Sequence, residues 1–497
     1  MSKSKSNYQS LVKSTAVFGG AQLIQMLVTI LRAKCIALFF GSAGMGINAI
    51  LQSSITSISN FSSFGIFQSA VRDISQAYES GDEKKLSRVK TIFERLVWFT
   101  GILGTLICIA SAPFLSKFAF GSTKYTWSFI LLSLSILLMA LANGKTVILQ
   151  ATRNLSYLAK SSVFGAFFSL AMGIPLYYYL KINGIALALV IGYLISYLVR
   201  VYYTRKITFC QIDKIELKEV RAEGAQMIKL GSVLMFGTFL ITLFTYLTNI
   251  FIGRWGSIEH VGLFQGASSL TTQSVFVVIS VLASDFFPRL SAVCTDAKKA
   301  NEIINQQLEL VILIIGPIVI FIISFTPAIV RLLLSKEFLI IVPLLRWMAL
   351  SLLFRGIWFV MSYVILAQGD RKSYLIYDAL IGNGLNFVLN IVAYAFWGLN
   401  GLGVSFLLGS IFVSTMLCLI VFKKYVFKLN YSFYRLFLVT LLFGISSFLI
   451  TLSLHGFFLY LCSLFIIILS IYTSIMMLNH RTGFYQLIAK RIFKQKV

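Results

Sequence analysis

The chain has 497 residues, of which 58% are hydrophobic and only 12% are charged, and its mean hydropathy is +0.87. This composition excludes a soluble globular domain, so lipid must be the solvent for most of the chain. The formal charge of +26 does not indicate nucleic-acid binding, because the basic residues lie mainly in short loops between apolar segments. We therefore expect membrane lipids, and no nucleic acid, as partners.

Apolar segments long enough to cross a membrane follow one another along the whole chain. Taking about 20 residues for each crossing, we predict roughly fourteen transmembrane helices. The first eight lie near residues 14–40, 44–70, 92–112, 123–150, 156–180, 183–204, 226–250 and 258–283. The other six lie near residues 302–326, 338–366, 373–396, 400–422, 433–454 and 456–478. The fold class is therefore an all-α polytopic membrane protein.

Parts of the sequence recur at a fixed shift of 217 positions. The first copy contains Ile148-Leu149, Ser156-Tyr157-Leu158, Gly165, Asn183-Gly184 and Gly192. The second copy contains Ile365-Leu366, Ser373-Tyr374-Leu375, Gly382, Asn400-Gly401 and Gly409. Such duplication is typical of secondary transporters. It predicts a six-helix half (1–205), a cytoplasmic linker (206–225), a second six-helix half (226–422), and two additional helices with a basic tail (423–497).

The distribution of basic residues predicts the orientation in the membrane. With the N-terminus in the cytoplasm, 30 of the 43 Lys and Arg residues fall in cytoplasmic segments. The predicted outer side carries only Lys117, Lys124, Lys181, Arg254, Arg331 and Lys336. This asymmetry predicts an even number of spans with both termini in the cytoplasm.

Sequence patterns for energy coupling and catalysis are missing. The chain has no G-x-x-x-x-G-K-[ST] phosphate loop, no G-x-S-x-G elbow and no H-E-x-x-H pair. Its six cysteines are scattered singly, which indicates neither a disulfide framework nor a zinc site. We expect no enzyme activity and no cofactor. A membrane-embedded glycosyltransferase or polymerase is the enzyme alternative, but such enzymes commonly need acidic residues or sizeable extramembrane loops.

Polar residues recur at helical spacing within several predicted spans. The stripes are Gln22, Gln25, Thr29 and Arg32; Asn48, Gln52, Thr56, Ser59 and Ser63; Thr238, Thr242, Thr245 and Asn249; Gln265, Ser268, Ser269, Thr272 and Gln273; and Asn383, Asn386 and Asn390. A single Ser or Thr is explained by interhelical hydrogen bonds of about 0.6 kcal/mol each. Whole stripes predict instead a shared water-filled cavity.

Charged residues within the spans are nearly all basic. Lys145, Arg200 and Lys229 lie near cytoplasmic ends, where snorkelling explains them. Arg355 lies near the middle of the tenth span, so we expect it to bind an anion, because arginine matches phosphate geometry. Asp378 is the clearest acid within a span, and it serves either ion coupling or a structural pair with Arg371 or Lys372.

Two short motifs resemble a known family. The run Arg32-x-Lys34-x-x-Ala37 with Gly41-x-x-Gly44-x-Gly46, and the run Ala367-Gln368-Gly369-Asp370, resemble the Wzx-type O-antigen and polysaccharide flippases. These belong to the multidrug/oligosaccharidyl-lipid/polysaccharide exporter superfamily. The resemblance implies a bacterial inner-membrane flippase that moves undecaprenyl-diphosphate-linked oligosaccharide outward by alternating access. A polysaccharide polymerase is a further expected partner.

Two other transport functions stay open from the sequence: a peptidoglycan lipid-precursor flippase, and a multidrug or cation antiporter, which should carry acidic cavity residues. The ion-coupling candidate is Asp378. The candidate substrate-binding residues are Arg32, Lys34, Asn48, Gln52, Arg254, Arg355, Asn383 and Asn386.

Overall fold

The structure, a computed structural model, describes residues 2–210, 215–294, 296–425, 427–454 and 456–482. Every extended regular element within these ranges is helical. This confirms the predicted all-α polytopic fold. The basic tail that the sequence predicts beyond the last span lies outside the described residues.

The chain order of the helices follows the predicted alternation of spans and loops. The first eight helices are α1 (Ser2–Ser62), α2 (Ile66–Glu79), α3 (Glu83–Phe120), α4 (Thr126–Ala151), α5 (Leu155–Leu180), α6 (Gly184–Thr204), α7 (Leu217–Trp255) and α8 (Ile258–Leu270). The others are α9 (Thr272–Val293), α10 (Ala297–Leu333), α11 (Val342–Ala367), α12 (Arg371–Ser373), α13 (Asn383–Tyr425), α14 (Tyr431–Ser453) and α15 (Phe457–Thr482). Short 3₁₀ turns occupy Lys181–Asn183 and Lys336–Ile341, and a π-helix occupies Tyr374–Gly382.

Ten helical stretches of the described residues are long and apolar enough to cross a membrane. Three of them, with 44, 50 and 55 residues, are too long for one crossing of about 20 residues. Each of these three contains one residue with positive φ: Gly41 at 62°, Lys181 at 52° and Gly398 at 57°. The chain bends there. Two crossings for each bent stretch, and one for α8 with α9, agree with the predicted number of spans.

The second predicted span ends earlier in the structure than in the sequence analysis. Phe64 and Gly65 have φ values of 48° and 72°, and they end α1 at Ser62. The segment after them forms α2, a separate helix that buries Ile66 and Ile74 on one face. Because the apolar run continues through this turn, hydropathy alone did not reveal the boundary.

The bends at Lys181 and Gly398 are equivalent, because they lie 217 positions apart and have nearly the same backbone conformation. Lys181 has φ 52° and ψ −138°, and Gly398 has φ 57° and ψ −140°. The repeat that was read from side-chain identities therefore also appears in the backbone.

Gly184 and Gly401 occupy equivalent positions of the repeat, and the recurrence of glycine there has a steric reason. A Cβ on Gly184 would collide with the carbonyl oxygen of Leu176, and a Cβ on Gly401 would collide with that of Ala393. Leu176 and Ala393 are also 217 positions apart. Each bend therefore needs glycine three residues after it, where the chain returns past the preceding helix.

The turns before α5 and α12 show a different shift. Arg153 and Gly369 have φ values of 57° and 71°, and Asn154 and Asp370 follow with φ −82° in both. These pairs are 216 positions apart, whereas the identities before and after the turn are 217 apart. The turn therefore lies one residue earlier in the second copy, with no net insertion. The π-helix Tyr374–Gly382 follows it, where the first copy continues as the α-helix α5.

The chain divides into two compact units, each described here by itself. The first unit comprises Met1–Gly266, Leu333–Glu337 and Ala379–Phe387. The second unit comprises Ala267–Leu332, Phe338–Asp378 and Val388–Val497. In the first unit, Ile215 and Val220 of the predicted linker are buried in one core with Phe93 and Ile148. The predicted six-helix halves are defined by the sequence repeat, which is a different criterion from this division into compact units. Their boundaries therefore stay a prediction.

We expect Gly401→Ala to destabilise the protein by about 1–3 kcal/mol, the usual cost of overpacking, because its Cβ meets a backbone oxygen. Gly165→Ala is the matched control, since its Cβ would lie 3.6 Å from Ser196 in ordinary contact. Thermal unfolding of both purified variants in detergent measures the difference. Equal melting temperatures would contradict the steric account.

Candidate functional site

A polar cavity of about 180 Å³ lies within the first unit. Its lining residues are Ala49, Gln52, Ser53, Thr56, Thr242, Thr245, Asn249 and Gln265. Most of them belong to polar stripes predicted on the second, seventh and eighth spans. The structure therefore brings members of three separate stripes to one cavity.

Close helix packing explains why these stripes meet. A Cβ on Gly46 would collide with the carbonyl oxygen of Ile258, and a Cβ on Gly262 would collide with that of Ser42. The contact is reciprocal, so α8 and the part of α1 after the Gly41 bend approach to backbone distance. Small residues permit such approaches between membrane helices. Gly46, the third glycine of the motif Gly41-x-x-Gly44-x-Gly46, thus allows two helices that line the cavity to pack closely.

Hydrogen bonds join α1 to α7 at both ends of the cavity. Asn249 donates from Nδ2 to the Ser53 hydroxyl at 3.3 Å, and Asn60 donates from Nδ2 to the Thr242 hydroxyl at 3.4 Å. Later residues of one helix meet earlier residues of the other, so the two segments are antiparallel. In a parallel repeat the seventh helix runs in the same direction as the first, and therefore opposite to the second. The observed direction agrees with this requirement.

The cavity presents hydrogen-bond acceptors. Thr56 and Thr245 donate their hydroxyl protons to the carbonyls of Gln52 and Ile241 in their own helices, at 2.8 and 2.9 Å. Their oxygens still have lone pairs. The side-chain oxygen of Asn249 is buried and has no hydrogen-bond partner among the described residues, and the same holds for Asn48, which is not among the residues that line the cavity. A buried amide oxygen without a donor is costly, so these groups match a ligand or water that supplies O–H or N–H groups.

Arg32 lies on α1 before the bend, beside α5. Its Nε donates to the hydroxyl of Tyr177 at 3.3 Å, and the Tyr177 ring is buried against Phe40 with centroids 5.6 Å apart. Arg32 is half-buried, and this hydrogen bond holds its side chain against α5. Lys34, two residues later, is half-buried on another face of the same helix.

Arg355 and Asp378 belong to one buried cluster in the second unit. The Arg355 guanidinium lies over the rings of Trp358 and Phe406, 5.1 and 5.5 Å from their centroids. The Trp358 indole N–H donates to the carboxylate of Asp378, whose side chain is buried. Asp378 lies in the π-helix, a rare conformation that is frequent at functional sites. Trp358 therefore connects the cation and the acid that the sequence treated separately.

The other candidates have different hydrogen-bond partners. Asn383 and Asn386, at the start of α13, donate to the carbonyls of Ala379 and Gly382 in the preceding π-helix, at 3.3 and 2.8 Å. The Asn386 side-chain oxygen is buried without a partner. Arg254 is exposed at the end of α7, where its Nη1 lies 3.5 Å from the carbonyl oxygen of Lys117. The side chain of Gln273 is outside what the structure describes.

Sequence reasoning missed Glu337. Its carboxylate accepts hydrogen bonds from the backbone N–H of Ser42, at 3.1 Å, and from the Ser42 hydroxyl. It thus lies at the N-terminus of the helical segment that begins after Gly41, where the helix dipole favours negative charge. No local pattern relates positions that are 295 residues apart, so this contact could not be predicted from the sequence.

The motif Ala367-Gln368-Gly369-Asp370 organises a turn in the second unit. Gln368 donates to the carbonyl of Cys294 at 3.1 Å. The Asp370 carboxylate accepts from the Ser373 N–H at 3.0 Å, from the Tyr425 hydroxyl at 2.8 Å and from Lys424. Burial opposes ionisation of Asp370, but the Lys424 ammonium and these donors outweigh it and hold its pKa below the usual range. The motif therefore joins the end of α11 to the ends of α9 and α13.

Comparisons with known proteins agree with this architecture. A family model described as "Polysaccharide biosynthesis protein" matches residues 36–343. The Lipid III flippases of Escherichia coli (strain K12) and Shigella flexneri are each 22% identical over 378 residues, which is 74% of this chain and 88% of theirs.

Two solved structures share the fold. A Lipid II flippase MurJ in an inward closed conformation superposes with a TM-score of 0.70 at 17% identity, covering 94% of this chain and 99% of that one. A multidrug resistance MATE family transporter of the MOP superfamily, in an inward-facing conformation, gives a TM-score of 0.68 at 15% identity, covering 83% and 98%. These two structures show the fold, and the family model confirms the predicted resemblance to a polysaccharide biosynthesis family.

We expect Asp370→Asn to lower the free energy of unfolding by about 1 kcal/mol at neutral pH, because the ion pair with Lys424 is half-exposed. A depressed folded-state pKa stabilises the protein above the unfolded-state value of about 4, and this stabilisation is lost as the pH falls through the folded-state value. The difference between wild type and variant should therefore shrink below about pH 4. Unfolding measured across this range tests it.

The exposed pair of Asp285 and Arg289 provides the control for this measurement. Asp285→Asn should change stability by less than about 0.5 kcal/mol. A loss in Asp370→Asn that does not depend on pH would contradict the assigned ionisation.

Proposed function

Because the chain belongs to the polysaccharide biosynthesis protein family, whose model matches more than half of it, we propose that it is a flippase for undecaprenyl-diphosphate-linked oligosaccharide. In this proposal the glycan, of O-antigen, capsule or similar type, crosses the bacterial inner membrane from the cytoplasmic to the periplasmic face by alternating access. The relatives named Lipid III flippase, which the chain matches over 88% of their length, support a lipid-linked substrate.

The observation that carries the proposal is the uncharged polar cavity of the first unit. Its amides and hydroxyls include the oxygen of Asn249, which has no donor among the described residues. Sugar hydroxyls supply such donors, and their hydrogen bonds need no charge in the cavity wall. A cavity for organic cations would instead need acidic residues, and the residues lining this one are uncharged.

Arginines supply the complementary group for the diphosphate. Arg32 uses Nε for Tyr177, and its remaining N–H groups form the fork that binds phosphate oxygens. In the second unit we assign Arg355 to a separate anion contact, because Trp358 and Phe406 lie over the face of its guanidinium, whereas anions bind the guanidinium edge. Neither contact requires ATP.

A peptidoglycan lipid-precursor flippase is the second candidate, and the likeness of fold to a Lipid II flippase over 94% of the chain favours it. The two candidates predict different intermediates when the protein is lost. Accumulated lipid-linked oligosaccharide with loss of surface polysaccharide supports the first, and accumulated peptidoglycan precursor supports the second.

In a deletion strain we expect lipid-linked oligosaccharide to accumulate, and complementation with Arg32→Ala to fail at normal protein abundance. Arg32→Lys should restore part of the export, because charge persists while the bidentate geometry is lost. Arg331→Ala, an exposed arginine at the end of α10, is the matched control and should complement fully. Normal surface polysaccharide with Arg32→Ala would indicate a merely anchoring role.

We propose that Asp378 couples transport to an ion gradient. Asp378→Asn should abolish the dependence of flipping on imposed proton or sodium gradients in proteoliposomes, and Asp378→Glu should retain it. Arg355→Gln should reduce transport without changing this dependence. If Asp378→Asn leaves gradient-driven flipping intact, the Trp358–Asp378 contact is structural and coupling occurs elsewhere.

A further inference from the structure

The hydroxyl protons around the polar cavity of the first unit all point away from a ligand. Four of the residues that line the cavity carry a hydroxyl group, and each donates it to a carbonyl of its own helix. The pairs are Ser53 with Ile50, Thr56 with Gln52, Thr242 with Phe239 and Thr245 with Ile241, at 3.1, 2.8, 3.0 and 2.9 Å. A hydroxyl whose proton is committed in this way offers a ligand only lone pairs. These four hydroxyls are therefore acceptors.

Ser53 also fixes the orientation of Asn249. Because the Ser53 proton is donated to Ile50, the Ser53 oxygen accepts, and it does so from Asn249 Nδ2 at 3.3 Å. A reversed amide would place two acceptor oxygens against each other. The Asn249 oxygen is left without a hydrogen-bond partner among the described residues, in a side chain that is 2% exposed and lines the cavity. Asn249 therefore contributes one more acceptor.

Gln52 and Gln265 are the other polar residues that line the cavity. A glutamine side chain carries an acceptor and two donors on one rotatable amide, so it can present either kind of group. These two residues therefore do not alter the balance. The lining is uncharged and presents mostly acceptors.

This lining discriminates between classes of ligand. A carboxylate, a phosphate or a sulfate carries acceptors alone, so its oxygens would face those of the cavity with no proton between them. Each buried acceptor that is left in this way costs free energy. The hydroxyl or acetamido groups of a neutral sugar instead supply O–H or N–H protons. The cavity thus favours a neutral sugar and opposes an acidic one.

The size of the cavity limits the ligand to one sugar ring. Its volume of about 180 Å³ corresponds to about six water molecules at about 30 Å³ each. A space of this size accommodates one pyranose ring with its substituents, and not two linked rings.

We propose that this cavity receives one neutral sugar ring of the glycan and rejects an acidic one, and that Asn249 determines this choice. Ser53 is the positioning residue that holds the Asn249 amide with its oxygen available to the ligand. The inference rests on the proposed function for a glycan as the ligand. It adds the class of sugar that the site accepts and a residue that selects it.

Farnesyl glucoside and farnesyl glucuronide are suitable probes, because they share the prenyl chain and the ring and differ only in a hydroxymethyl or a carboxylate group. We expect the glucuronide to bind the full-length protein, in nanodiscs of zwitterionic lipid, at least about tenfold more weakly than the glucoside. The ratio of the two affinities is the measured quantity. Comparing this ratio between variants cancels the different partitioning of the two probes into lipid.

Ser53→Ala should lower this ratio at least about threefold, because the released Asn249 amide can turn and donate to the carboxylate. Ser54→Ala is the matched control and should keep the ratio of wild type. The Ser54 hydroxyl also donates to the Ile50 carbonyl, at 2.7 Å, but Ser54 is buried and does not line the cavity. Asn249→Leu should weaken binding of the glucoside about three- to tenfold.

Equal affinity of the wild type for both probes would overturn the proposal, as would the same ratio in Ser53→Ala and in wild type. Melting temperatures identify any variant that misfolds, and the wild-type ratio tests the proposal without a substitution. If the protein prefers the glucoside while the deletion strain accumulates no lipid-linked oligosaccharide, the sugar site stands and the proposed function fails. Accumulation without any preference between the probes would leave the proposed function intact and overturn this inference.

Discussion

Lipid offers no hydrogen bonds, so every polar group within a spanning helix must find its partner inside the protein or in a ligand. This constraint orders most polar side chains of the chain. Hydroxyls such as those of Thr56 and Thr245 return their protons to carbonyls of their own helices. Asn60 and Asn249 instead reach across to a neighbouring helix. The packing of the helices therefore determines which polar side chains can form hydrogen bonds.

One of the groups that escape this rule belongs to the candidate cavity. Several buried side-chain atoms of the described residues have no hydrogen-bond partner, and the amide oxygen of Asn249 is the one whose residue lines this cavity. An amide oxygen accepts hydrogen bonds, so a ligand that carries hydroxyl groups would satisfy it. This unfilled contact therefore has the chemistry that a glycan would complement.

Periodic features could be predicted from the sequence, and pairwise contacts could not. Helical spacing placed Gln52 and Thr242 on polar faces, and the structure brings both to one cavity. Hydropathy extended the second span beyond the turn at Phe64 and Gly65, because it detects apolar runs and not backbone conformation. The contact between Glu337 and Ser42 depends on tertiary packing between distant segments. The polar helix faces that line the cavity could therefore be predicted from the sequence. The contact of the charged residue Glu337 with a distant helix could not.

The π-helix has an evolutionary consequence, because the first copy is α-helical at the equivalent positions. The wider turns of a π-helix rotate its side chains relative to those of an α-helix, so they no longer face the same neighbours. Ser161, which the 217-residue shift relates to Asp378, donates to the carbonyl of Leu158 in its own helix at 2.9 Å. Asp378 meets Trp358 instead. After duplication, a change of helix type in one copy would thus let that copy acquire a buried acid while the other kept a serine bonded within its own helix, which makes the two halves free to specialise.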